Sequence, residues 1–133
     1  MMMRMKTILC VDDDVDDLIM LREVINEMGE PYNIEEAYDG LIALNILQKM
    51  KAEDNLPCLI VLDINMPRMD GKQTLVAIKN DTVLATIPVV VFSTSSSAMD
   101  KTFCAAKKVE MITKPFDYAT LFTSAEKLLT FCK

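Results

Sequence analysis

The chain has 133 residues, 51% of them hydrophobic and only 6% aromatic, so one domain is expected, large enough to bury a single aliphatic, methionine-rich core without staples. Its net charge of −6 argues against nucleic-acid binding, which needs a basic footprint, and against anionic membrane surfaces.

Thr7 to Val11 is a short apolar, β-rich run. A stripe of Leu18, Leu21, Ile25 and Met28 at helical spacing follows it, with Asp14 as candidate N-cap. Asn33 to Ala37 is the second strand-like run, polar enough to predict an edge position, and Leu41 to Met50 is the second helix. Leu59 to Leu62 is apolar on every residue, the pattern of an interior strand covered on both faces, and Gln73 to Asn80 is the third helix. Pro88 to Phe92, a helix over Ala98 to Lys107, Val109 to Thr113 and a final helix complete the alternation. The last helix keeps the i, i+3, i+4 rhythm through Tyr118, Leu121, Phe122, Ala125, Leu128, Leu129 and Cys132. Strand and helix thus alternate five times, which predicts an α/β, doubly wound parallel sheet in the flavodoxin-like order 2-1-3-4-5. No linker, internal repeat or low-complexity tract divides residues 1–133, so no second domain is expected.

What is missing excludes whole chemistries. With no histidine, Ser-His-Asp and Cys-His catalysis, histidine metal ligation and phosphohistidine on this chain are ruled out. Three glycines, Gly29, Gly40 and Gly71, cannot form a glycine-rich nucleotide loop. Cys10, Cys58, Cys104 and Cys132 lie far apart with no C-x-x-C pair, the pattern of free thiols in a reducing cytosol. The start, Met1 to Lys6, runs into aspartates without an apolar stretch of secretory length, and no run approaches a membrane span. A cytoplasmic protein is expected.

The chemistry gathers at strand ends. The first run stops on Asp12-Asp13-Asp14, the third on Asp63, the fourth on Ser93-Thr94 and the fifth on Lys114-Pro115. In a parallel sheet all of these leave the same edge, where ligands bind. Carboxylates crowded within about 4 Å repel by roughly 4 kcal/mol per pair at an effective dielectric near 20, so such a cluster calls for a lysine or a hard cation. Mg²⁺ suits a few carboxylates, waters and a phosphate oxygen. Asp12, Asp14, Asp16 and Glu23 also mimic a calcium loop. That reading fails because Asp17 replaces the required glycine, Met20 takes the ninth position and a strand precedes the loop.

Four segments in order, Asp12-Asp13, Leu62-Asp63-Ile64-Asn65-Met66-Pro67-Arg68-Met69-Asp70-Gly71, Pro88 to Ser93, and Lys114-Pro115-Phe116, resemble the bacterial two-component response-regulator receiver domain, similar in layout to the chemotaxis regulator and of the stand-alone type without an effector domain. The resemblance implies that Asp63 is the phosphoacceptor for a sensor histidine kinase or phosphotransfer protein. It implies Mg²⁺ held by Asp12, Asp13, Asp63 and the backbone carbonyl of Asn65. Lys114 would pair with Asp63 and then with a phosphoryl oxygen, and Ser93 would turn inward to hydrogen-bond the phosphoryl group. Pro115 would follow a cis peptide bond. Thr94, Ser95 and Asn65 would tune access and hydrolysis. Met111 stands where the family usually carries a switching aromatic, which weakens the expected coupling to an unknown downstream protein. Output would run through protein contact rather than nucleic acid or membrane. Two other readings share the fold. A phosphorylation-independent scaffold is kept open by Met111. A Mg²⁺-dependent phosphatase with an aspartate nucleophile wants a second aspartate where this chain has Asn65.

Overall fold

The computed structural model describes residues 5–132. The reading of the first residues as no secretory leader therefore rests in part on positions outside that range. Five strands alternate with five helices: β1 (Lys6–Val11), α1 (Val15–Glu27), β2 (Tyr32–Ala37), α2 (Gly40–Ala52), β3 (Leu59–Leu62), α3 (Gly71–Asn80), β4 (Val89–Ser93), α4 (Ala98–Ala106), β5 (Glu110–Thr113) and α5 (Tyr118–Leu129). Every neighbouring pair of strands is parallel, in the order β2-β1-β3-β4-β5, as the alternation predicts. β2 lies at an edge, in keeping with its polar sequence.

Strand periodicity splits the core into two layers. Ile8 and Cys10 of β1 face Leu18, Leu21 and Ile25 of α1 and Leu121 and Leu128 of α5. The intervening Leu9 and Val11 face the other way, onto Ala43 and Leu47 of α2 and Leu75 and Ile78 of α3. β3 is buried on all four residues because it receives helices on both faces. Each fully buried Leu or Ile contributes about 1.5–3 kcal/mol relative to exposure, so the two layers fix the strands and leave their carboxyl ends free for chemistry. Among the described residues, no helix is long and apolar enough to cross a membrane.

Helix ends follow their caps. Asp14 accepts the N–H groups of Asp16 and Asp17 as expected, and Asp39, Asp70, Ser97 and Asp117 cap the other four helices. α5 stops at Leu129 rather than running to Cys132, and the Thr130 hydroxyl donates to the Lys127 carbonyl at 2.6 Å just beyond its end. A 3₁₀ turn at Leu84–Thr86, not anticipated from the sequence, bridges α3 and β4.

The cysteines require a correction. Cys58, just before β3, and Cys132, just after α5, form a disulfide with Cα atoms 4.8 Å apart, a separation suited to a bridge. Cys10 and Cys104 are free and buried, as expected. The fold brings the start of β3 beside the end of α5 across 74 residues of sequence, a proximity that cysteine spacing does not report.

Candidate functional site

Sheet register assembles the site. Val11 of β1 pairs with Leu62 of β3, so Asp12 and Asp63 leave adjacent strands at the same level. The Asp63 N–H donates to the Val11 carbonyl at 2.9 Å and fixes that level. Likewise Ser93 of β4 pairs with Thr113 of β5, and the Lys114 N–H donates to the Ser93 carbonyl at 2.8 Å. Parallel strands stand about 4.8 Å apart, so Asp12, Asp63, Ser93 and Lys114 all reach the same edge of the sheet.

Carboxylate oxygens of Asp12, Asp13 and Asp63 all lie within 4.8 Å of one another. Asp12 and Asp63 are buried, whereas Asp13 is exposed. Asp12 uses one oxygen to accept the Asp14 N–H at 2.9 Å and the other to accept from Lys114 Nζ at 2.5 Å. Asp63 accepts its neighbour Ile64 N–H at 2.8 Å on one oxygen and Lys114 Nζ at 3.4 Å on the other. Lys114 is thus the hub of the cluster, and a third carboxylate, Asp17 on α1, takes it at 2.8 Å. Asp17 was not foreseen as a member. Its place in the first turn of α1, just after the end of β1, was the available signal.

Burial raises the pKa of Asp12 to about 6, against the opposing pull of its bonds to Lys114 and the Asp14 N–H. Burial alone would lower Lys114, but its bonds to Asp12 and Asp17 and the field of Asp63 outweigh it and hold the ammonium above its ordinary value. The cluster therefore keeps the Lys114 ammonium charged while its carboxylates stand in excess among the described residues. Oxygen donors crowded in this way suit a hard divalent cation.

The remaining predicted residues take distinct places. Ser93 is fully buried, and its Oγ accepts the Ser95 N–H at 3.2 Å. Thr94 and Asn65 are exposed at the rim, and Ser95 is half-buried. Met111 is half-buried against Ile64, Val91 and Cys104, beneath the site rather than in it. The expected cis bond before Pro115 is corrected: no peptide bond is cis among the described residues. Trans is the lower-energy form of an X-Pro bond, and from it the long Lys114 stem already reaches three carboxylates. Beside Lys114 opens a cavity of about 190 Å³, lined by Asp17, Met20, Phe92, Pro115 and Phe116, with Phe116 almost wholly exposed.

Two further features set the loop after Asp63. Gly71 lies so close to it that an added Cβ would sit 2.1 Å from the Asp63 carbonyl oxygen. Asp39, after β2, is buried, caps α2 and accepts from Arg68 Nε at 2.6 Å, while Arg68 adopts a left-handed φ of 63°. Hydrogen bonds from the Ile42 N–H and Arg68 hold the Asp39 carboxyl below its usual range. Asp39 also went unread in the sequence, although an aspartate before Gly40 and an apolar helix is an N-cap signal.

Residues 8–126 match the family described as the response regulator receiver domain. The chain belongs to that family. Receiver domains are phosphorylatable signalling modules of two-component systems, and this receiver shares the architecture of its solved relatives. It is similar to response regulator Rcp1 of Synechocystis sp., 37% identical over 97 residues, which cover 71% of this chain and 66% of that protein. The phosphorylated cyanobacterial phytochrome response regulator RcpA superposes with a TM-score of 0.88 at 32% identity, over 97% of this chain and 94% of the other. The Mn²⁺-bound form of Rcp1 superposes with a TM-score of 0.83 at 32% identity, over 95% and 93%.

Proposed function

We propose that Asp63 is the phosphoacceptor of this receiver and that the donor is a phosphohistidine on a sensor kinase or phosphotransfer protein. The clustering of the Asp12, Asp13 and Asp63 carboxylates, with the Lys114 ammonium paired to Asp12 and Asp63, carries this reading. A carboxylate oxygen of Asp63 attacks phosphorus, a P–O bond forms, the P–N bond breaks, and its electron pair leaves with the imidazole. Such a transfer needs positioning and charge neutralisation more than covalent assistance. Asp12, Asp13, Asp63 and the Asn65 backbone carbonyl would hold Mg²⁺, which supplies positive charge against the phosphoryl oxygens when bound. The manganese-bound relative and the oxygen-only donor set support a divalent ion there. Lys114, charged at neutral pH, offers the protein's own cation to a phosphoryl oxygen. Ser93 hydrogen-bonds another and carries the event into the β4–α4 loop. Thr94, Ser95 and Asn65 set access and hydrolysis, and an unidentified protein reads the changed surface.

In this reading the module catalyses only its own phosphorylation and dephosphorylation. Incubation with acetyl phosphate and Mg²⁺ should add one phosphoryl group by intact mass measurement. The Asp63→Asn variant should gain none, and aryl phosphates should show no sustained turnover. Wild type left unmodified under these conditions would overturn the assignment.

A further inference from the structure

A chain of polar contacts outside the carboxylate cluster ties the β4–α4 loop to the loop that carries Asp63. Ser93 Oγ accepts the Ser95 N–H at 3.2 Å. Ser95 Oγ donates to the Asp100 carboxylate and accepts the Ser97 N–H at 3.3 Å. Ser97 Oγ in turn accepts the Asp100 N–H at 3.1 Å, capping α4. The carboxylate of Asp100 closes the chain on Lys72 Nζ at 2.6 Å.

One end of this chain is anchored beside Asp63, and the other is Ser93 at the end of the neighbouring strand β4. Lys72 follows Gly71, whose N–H donates to the Ile64 carbonyl at 2.7 Å and whose Cα is pressed against the Asp63 backbone. Ser93, at the other end, is the buried hydroxyl proposed to take a phosphoryl oxygen. The Lys72 ammonium also stands 5.5 Å from the Phe103 ring centroid, which limits its freedom further. Lys72 and Ser95 keep the Asp100 carboxyl below its usual range, so it accepts as an anion at neutral pH.

Apolar packing gives the same loop little support. Among the residues of α4, only Cys104 is buried, whereas α1, α2 and α3 each bury four residues. Thr94, Ser96, Ser97, Ala98 and Met99 are all exposed. Where burial is this sparse, opening costs little, and side-chain bonds decide which arrangement the loop holds.

We propose that Asp100 and Lys72 are positioning residues that latch the β4–α4 loop in its resting arrangement, so that phosphorylation must open the Ser95–Asp100–Lys72 chain to draw Ser93 onto the phosphoryl group. This rests on the phosphoacceptor reading above. A group bound at Asp63 shifts the loop only by its differential affinity for the two arrangements, and weakening the resting one must tighten that group's binding. Losing the contacts to Asp100 should shift the equilibrium by about fivefold to tenfold, the scale of one ordinary intramolecular hydrogen bond, because the ion pair with Lys72 is partly exposed and screened.

The test measures the apparent affinity of beryllofluoride with Mg²⁺ in wild type, Asp100→Ala, Lys72→Met and the double variant. Asp100→Ala should bind about fivefold to tenfold more tightly, Lys72→Met by a smaller factor, and the double variant no better than Asp100→Ala alone. A substitution that merely damaged the fold would weaken binding instead. Unchanged or weaker binding in Asp100→Ala, beside a tightly binding wild type, would overturn the latch and leave the phosphoacceptor reading intact. A second measurement needs no ligand: in Asp100→Ala the Ser95 amide should exchange with water severalfold faster than in wild type, while the Gly71 amide keeps its rate. Equal Ser95 rates would overturn the latch even if wild type bound no beryllofluoride, the result that would count against the phosphoacceptor reading.

Discussion

Filling the carboxylate cluster should raise the melting temperature, and removing one exposed carboxylate should abolish most of that rise. At 4.8 Å, two carboxylates repel by about 3.5 kcal/mol at an effective dielectric of 20. Pairs involving Asp13 deserve a smaller figure, because its exposure lets water screen them. Lys114 offsets part of the repulsion felt by Asp12 and Asp63 and touches Asp13 in none of its ion pairs. A bound cation relieves what remains, and at a hundredfold excess over its dissociation constant it stabilises the native state by about 2.7 kcal/mol. Unfolding entropy of about 2.1 cal/mol/K per residue converts this into a rise of about 10 °C for a chain of this length. Melting followed by circular dichroism in Mg²⁺ and in EDTA, at matched ionic strength, measures it. Asp13→Ala should melt slightly above wild type without metal, having lost a like-charged neighbour, and should gain little when Mg²⁺ is added. No rise in wild type at saturating Mg²⁺ would refute the metal site, and an undiminished rise in Asp13→Ala would place the ion elsewhere.

Gly71→Ala should cost about 3 kcal/mol in urea unfolding, because a Cβ 2.1 Å from the Asp63 carbonyl oxygen forces backbone to move; an unchanged midpoint would show that the loop yields freely. Thiol titration of the denatured, unreduced protein should find Cys10 and Cys104 alone reactive, with Cys58 and Cys132 appearing only after reduction, and reactivity of all four beforehand would exclude the bridge. Met111→Tyr should enlarge the amide shifts that beryllofluoride and Mg²⁺ produce over α4 and α5, since a rigid ring biases the switch more than a flexible thioether; large wild-type shifts unaffected by the substitution would show coupling by another route.

The fold was readable because its signals are local and agree with one another. Continuous apolar runs mark β1 and β3 as interior, a polar run marks β2 as an edge, and Asp14 and the Leu18–Leu21–Ile25 stripe define α1. Asp12, Asp13, Asp63 and Lys114 were legible as a cluster for a related reason: parallel strands of known order deliver their ends to one edge. The features that escaped depend on distances between elements. Asp17 reaches Lys114 only because α1 leans over the strand ends, and Asp39 finds Arg68 only through the left-handed turn after Asp63. Cys58 meets Cys132 only because α5 returns along the sheet to the start of β3. The 3₁₀ turn at Leu84–Thr86 carries too few residues to show a period.

The cis bond expected before Pro115 failed for a more instructive reason, which concerns what Lys114 is for. Its ammonium is nearer Asp12 and Asp17, at 2.5 and 2.8 Å, than Asp63, at 3.4 Å. A lysine aimed solely at the phosphoacceptor would need its backbone fixed for that purpose. One that balances three carboxylates can settle among them from the ordinary trans backbone, because its four-carbon stem adapts. Under the proposed function Asp12 has two claims on it, from Lys114 and from the metal. Were it to share its oxygens with a cation, its contribution to holding Lys114 would weaken, and Asp63 would become the stronger attraction for the ammonium. Metal binding and lysine engagement would then be coupled through Asp12, a carboxylate whose pKa burial raises against the opposing pull of its bond to Lys114.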